Sequence, residues 1–142
     1  MSFNRFYVIS PLALVAVSAC RSPNTGNTVN GAIVKGPLSN ALVFLDLDGD
    51  GILDDNEVSV RTDSDGSFSI NTSASAYTIV ALTDETTVDS SSGSTLAGIM
   101  LSAPQGAAVV TPTTTLMEEG GLTAEEVAEV LNLPDGVDPL TF

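Results

Sequence analysis

The twelve residues DLDGDGILDDNE, 46–57, place oxygen ligands at the spacing a hard cation needs. Counted from Asp46, positions one, three, five, nine and twelve are Asp46, Asp48, Asp50, Asp54 and Glu57. Position six is Gly51, where the chain must turn sharply, and position seven is Ile52, whose main-chain carbonyl is its ligand atom. A chain wrapping an ion turns every second side chain inward, so this alternation brings the carboxylates to one point. Oxygen-only ligands, several of them charged, select Ca²⁺ over softer metals. Mg²⁺ holds its waters in a tight octahedron and fits such a loop less well. The competing reading is a solvated acidic turn in which Gly49 and Gly51 only supply the bends.

Other chemistries are excluded by composition. The chain has 142 residues, no His and one Cys. Without His there is no Ser-His-Asp or Cys-His nucleophile and no His-ligated metal. One Cys forms no disulfide within the chain. Asp and Glu number 18 against 4 Lys and Arg, a net charge of −14, which argues against nucleic acid as a partner. Hydrolysis by a carboxylate pair needs no His. The acids, however, crowd into one loop, and the serine run Ser90–Ser94 has no base to activate it. The chain is expected not to be an enzyme.

The N-terminus reads as an address. Arg5, an apolar run over 6–17 and small residues up to Cys20 have the layout of a secretory signal peptide. The apolar run is short of the ~20 residues that span a membrane. Val17-Ser18-Ala19-Cys20 resembles the lipobox of bacterial lipoproteins. That resemblance implies lipidation of Cys20, cleavage before it, a membrane anchor, and a place in the bacterial cell envelope, at the outer membrane or cell surface. Residues 1–19 are then a signal peptide, and 20–28, rich in Asn, Gly and Pro, a flexible tether.

The elements around the loop are of strand type. Val29–Lys35 is β-branched and ends at Gly36-Pro37. Ala41–Leu45 is a continuous apolar run, as in a strand buried on both faces. Residues 57–62 alternate, with Val58 and Val60 on one face. Asp63-Ser64-Asp65-Gly66 is a turn, and Phe68 and Ile70 alternate beyond it, so the pattern predicts a hairpin with loop 63–66. Tyr77–Leu82 is a further strand, 83–95 reads as a loop, and Leu96–Leu101 reads as a strand weakened by Gly98. Thr111-Pro112 caps a helix that stops at Gly120-Gly121. Thr123 to Glu126 is a capping box opening a second helix, with Val127, Ala128, Val130 and Leu131 as its core-facing stripe. The fold class expected is mainly β: a small antiparallel β-sandwich over 29–103, followed by two short α-helices within 104–142. No amphipathic helix flanks 46–57, so the loop is expected to join strands.

The stretch 31–70, GAIVKGPLSNALVFLDLDGDGILDDNEVSVRTDSDGSFSI, resembles the calcium-binding B-type repeats of Gram-positive surface adhesins. More loosely, it is similar to carboxypeptidase-regulatory-like domains. The resemblance implies an Ig- or transthyretin-like sandwich. It implies side-chain ligands Asp46, Asp48, Asp50, Asp54 and Glu57, with Ile52 through its carbonyl. Asp63 and Asp65 match the family's turn, where Asx-turn chemistry accounts for them. Residues 93–142 are similar to a segment that follows such domains in large secreted bacterial proteins. The end Leu140-Thr141-Phe142 has two readings, a truncated copy of a longer protein or a tail docked on the core. The function expected is a membrane-anchored, extracytoplasmic calcium-binding structural or adhesion module, with a surface protein or polysaccharide as partner. The alternative is a calcium-responsive regulator, in which the metal exposes an apolar groove.

Overall fold

A computed structural model describes residues 26–141. The expected signal peptide, Cys20, Phe142 and most of the tether lie outside the described residues. In chain order the strands are β1 (Asn27–Ile33), β2 (Leu38–Ser39), β3 (Leu42–Asp46), β4 (Ser59–Arg61) and β5 (Ser67–Thr72). Then come β6 (Thr78–Leu82), β7 (Val88–Asp89), β8 (Ser94–Thr95), β9 (Met100–Ala103) and β10 (Val109–Val110). Two helices follow, α1 (Pro112–Gly120) and α2 (Ala124–Val130). No described helix is long and apolar enough to cross a membrane.

Two larger sheets enclose the core. One has the order β10-β1-β5 and the other β4-β3-β6-β9, while β2-β7-β8 form a small third sheet. All pairings are antiparallel except β1 with β10. The mainly β, antiparallel architecture with two C-terminal helices is the one expected from the sequence. Val29, Ile33, Phe68, Ile70 and Val110 from the first sheet meet Val43, Leu45, Ile79, Ala81 and Leu101 from the second. Removing this apolar surface from water is the main force holding the two sheets together.

The run Ala41–Leu45 is buried on both faces, as its unbroken hydrophobicity requires. Val43 and Leu45 enter the core between the sheets. Phe44 points the other way and aligns across the sheet with Val80, which in turn aligns with Ser102. α1 lies against this face. Ser102 N–H donates to Thr115 Oγ1 at 3.0 Å, and Thr114 Oγ1 donates to the Ser102 carbonyl at 2.9 Å. The helix therefore satisfies main-chain groups of β9 that a neighbouring strand would otherwise take. Thr111 caps α1 in a reciprocal box with Thr114, and Gly121 ends it in the left-handed conformation at φ 61°.

Four expectations are corrected. Residues 57–72 do not form a hairpin: β4 pairs with β3 and β5 pairs with β1, so the chain crosses between the sheets. The turn itself forms, with Gly66 N–H donating to the Asp63 carbonyl at 3.1 Å. Gly66 has φ +78°, and a Cβ there would lie 2.9 Å from the Ile33 carbonyl oxygen. This close approach steers β5 onto β1. Residues 83–95 are not a plain loop, since β7 and β8 add to β2 and Thr83 and Thr87 are buried. The α2 stripe is mostly exposed: Val127 is buried, but Val130 is 73% exposed and Leu131 is the C-cap. α2 is a seven-residue helix, too short to turn a whole stripe inward. Lastly, β1 begins at Asn27, inside the expected tether, with Thr28 Oγ1 donating to Asn71 Oδ1 at 2.8 Å. The tail does dock: Leu140 packs against the core, and its carbonyl accepts from Ala108 N–H at 2.9 Å.

Candidate metal centre

The loop 46–57 leaves β3 at Asp46 and rejoins the sheet at β4, so both its flanks are strands of one antiparallel pair. Asp46 is the anchor. It is 3% exposed, and its carboxylate gathers the main chain of the loop. Oδ1 accepts from Asp48 N–H at 3.1 Å and Gly49 N–H at 2.6 Å, and Oδ2 accepts from Gly51 N–H at 2.8 Å. The same step recurs outward: Asp48 Oδ1 accepts from Asp50 N–H at 3.3 Å, and Asp50 Oδ1 from Ile52 N–H at 2.8 Å. Gly51, at φ 73°, supplies the reversal that makes this coil close.

The result is convergence. Asp46, Asp48 and Asp50 each place a carboxylate oxygen within 4.8 Å of the others. Glu57 closes the loop from the far end, with Oε1 accepting from Leu47 N–H at 2.7 Å and Oε2 from Asp54 N–H at 3.1 Å. The Asp54 carboxyl is held above its ordinary range, first by desolvation and then by the charges of Asp50, Asp48, Glu57 and Asp46. Each added negative charge makes the next harder to hold. Ile52 directs an exposed side chain outward, leaving its carbonyl as its only ligand atom. The six residues named from the sequence thus share one loop. The structure brings three carboxylates to a point, with Asp54 and Glu57 hydrogen-bonded to each other beside it. Asp63 is not among them: its Oδ1 accepts from Asp65 and Ser67 N–H, both at 2.9 Å, as an Asx-turn does.

Two residues escaped the sequence reading. Glu118 and Glu119, in the last turn of α1, line a cleft of about 240 Å³ together with Asp46, Asp50 and Gly51. Thr78, paired across the sheet with Asp46, donates through Oγ1 to Glu118 Oε1 at 2.8 Å. Ser102 Oγ donates to Glu119 Oε1 at 3.2 Å. Only one sign of this was available in the sequence. Acids in a helix's last turn oppose its dipole, which favours cations at that end, and no basic residue accompanies them.

This donor set suits a hard divalent cation: carboxylates and a carbonyl, with no nitrogen or sulfur, on a loop fixed by its own hydrogen bonds. Comparison with protein-family models, with curated proteins and with solved structures finds no match to this chain.

Proposed function

We propose that this chain is a calcium-binding structural module, tethered at a bacterial envelope membrane by lipid on Cys20, and serving surface architecture or adhesion to a protein or polysaccharide. One observation carries the calcium part: the carboxylates of Asp46, Asp48 and Asp50 converge within 4.8 Å. With Glu57 folded back beside them, a cation there would relieve repulsion among groups the fold holds together. Asp46, Asp48, Asp50, Asp54, Glu57 and the Ile52 carbonyl would be its ligands. Strands on both sides of the loop favour a structural role over a regulatory one, because a calcium switch works by reorienting a helix pair. The lipid anchor rests on the sequence Val17-Ser18-Ala19-Cys20 alone.

The test is a thermal melt of the whole chain, followed by far-ultraviolet circular dichroism, in excess Ca²⁺ and in chelator. At a free Ca²⁺ concentration ~100-fold above Kd, binding adds about 2.7 kcal/mol, a rise in melting temperature of roughly 10 °C for a domain of this size. The folded spectrum stays the same. A gain of helix with Ca²⁺ would favour the regulatory reading, and no response at millimolar Ca²⁺ would remove the calcium reading. A mass increment on Cys20, lost in Cys20→Ala together with membrane retention, tests the anchor.

A further inference from the structure

The outer edge of β5 is the one long sheet edge that the described structure leaves unguarded. β5 ends the sheet β10-β1-β5, and no described strand or helix hydrogen-bonds its other side. The remaining edges are short or engaged. β2, β8 and β10 have two residues each. β4 has three residues, and its Arg61 is paired with Asp84 at 2.6 Å. β9 is covered by α1 through Ser102. β5 runs for six residues, SFSINT, with no charge, Pro or Gly among them. These are the devices by which proteins usually block edge pairing.

The phase of the strand shows which groups are on offer. Ile33 N–H donates to the Gly66 carbonyl, and register places Gly31, Val29 and Asn27 opposite Phe68, Ile70 and Thr72. By antiparallel alternation Phe68, Ile70 and Thr72 turn their N–H and C=O toward β1, while Ser67, Ser69 and Asn71 turn theirs outward. The outward groups of Ser67 are taken by the turn, its N–H by Asp63 Oδ1 and its C=O by Asp63 N–H. Those of Ser69 and Asn71 meet no described partner. An open groove of about 430 Å³, lined by Val60, Arg61, Asp63, Ser67, Phe68 and Ser69, lies at the first half of this edge, and its two charges, Arg61 and Asp63, belong to β4 and the turn rather than to β5.

We propose that β5 pairs with β5 of a second copy of this chain, antiparallel across a two-fold axis, joining two three-stranded sheets into one. An antiparallel edge is complementary to itself, as a two-fold interface requires. With Ile70 on the axis, Ser69 of one copy faces Asn71 of the other, and their outward N–H and C=O groups exchange hydrogen bonds. Charge permits this register. Residues 67–83 carry no ionised side chain, and Asp65 of each copy falls opposite Ser75 of the other, so no carboxylates meet across the seam. Most other approaches would bring together surfaces of a chain whose net charge is −14. An edge alone buries little area, so the dimer is weak and depends on concentration.

The test is sedimentation velocity of the whole chain from about 10 µM to 1 mM, with Ser69→Pro as the variant. Pro at 69 removes only the outward N–H and leaves the bonds of β5 to β1 in place. The expected results are a monomer–dimer equilibrium for the natural chain and at least about a tenfold loss of affinity for Ser69→Pro. Hydrogen exchange of the natural chain gives a second readout that needs no variant: the Ser69 and Asn71 amides gain protection as concentration rises. A natural chain monomeric throughout overturns the proposal. So does a dimer without added protection at these two amides, and so does a dimer that a folded Ser69→Pro retains, including one held by residues 1–25.

Discussion

Asp46 and Asp48 are neighbours in the same coil, yet the fold asks different things of them. Asp46 is buried and holds three main-chain N–H groups, so it shapes the loop whether or not an ion is present. Asp48 is exposed and accepts one long bond at 3.3 Å. Asp46→Ala is therefore expected to lower stability by about 1–3 kcal/mol even in chelator, because it orphans those donors. Asp48→Asn should leave the melt in chelator nearly unchanged while cutting the calcium-induced rise, measured at subsaturating Ca²⁺. Equal effects of the two in chelator would contradict this division. Away from the loop, Arg61 donates to Asp84 Oδ2 at 2.6 Å, and this bond, with further bonds from Thr86, holds the Asp84 carboxyl well below the ordinary carboxylate range. A depressed carboxyl stabilises the fold above its unfolded value and ceases to do so as pH falls through its folded value. The difference in melting temperature between the natural chain and Asp84→Asn should thus stay constant from pH 8 to pH 5 and shrink only below about pH 4. Both side chains are partly exposed, at 41% and 43%, so added salt should shrink it too.

Among the elements, α1 shows how much a helix can contribute without a large apolar face. Its Thr114 is fully buried, completes the N-terminal cap and bonds the Ser102 carbonyl on β9. Thr114→Val keeps the shape and the main-chain N–H given to Thr111 Oγ1, but it loses the Oγ1 that accepts from Thr111 N–H and donates to the Ser102 carbonyl, and is expected to lower stability by about 1–3 kcal/mol in a chemical denaturation curve. Gly66→Ala should also destabilise, because its φ of +78° and its approach to Ile33 leave no space for a methyl group. A neutral result there would mean that the crossing between sheets does not depend on Gly66. Such contacts also mark where sequence reading succeeds and where it stops. Ala41–Leu45 was legible because its apolar run has only one use, a strand covered on both sides. The caps at Thr111 and Thr123 were legible because capping is local chemistry. The turn 63–66 was legible as a turn but not as a crossing, since a turn says that the chain bends and not which sheet receives it. The small sheet β2-β7-β8 was missed because Thr83 and Thr87 are buried through hydrogen bonds rather than hydrophobicity. The convergence of Asp46, Asp48 and Asp50 in the loop 46–57 was legible, the three carboxylates being close in sequence. The approach of Glu118 and Glu119, some seventy positions away, was not.

At the scale of the whole molecule, the first strand and the last are neighbours. β1 and β10 run parallel, with Ala32 N–H donating to Ala108 at 3.1 Å and Val34 N–H to Val110 at 3.0 Å. Joining them closes most of the described chain into one loop, so this contact is expected to form late in folding. It also sets how the molecule meets mechanical force. Tension drawn between Asn27 and the C-terminal helices pulls two parallel strands in opposite directions along their length. Their hydrogen bonds are sheared together rather than unzipped one at a time. In single-molecule pulling, α2 and α1 should peel away at low force, followed by one abrupt, high-force rupture of the β-sandwich. Ala32→Pro, which removes the N–H given to Ala108, should lower that second peak and leave the first unchanged. A chain fixed at one end and tugged at the other would then yield at its helices while the sheets behind them stayed shut.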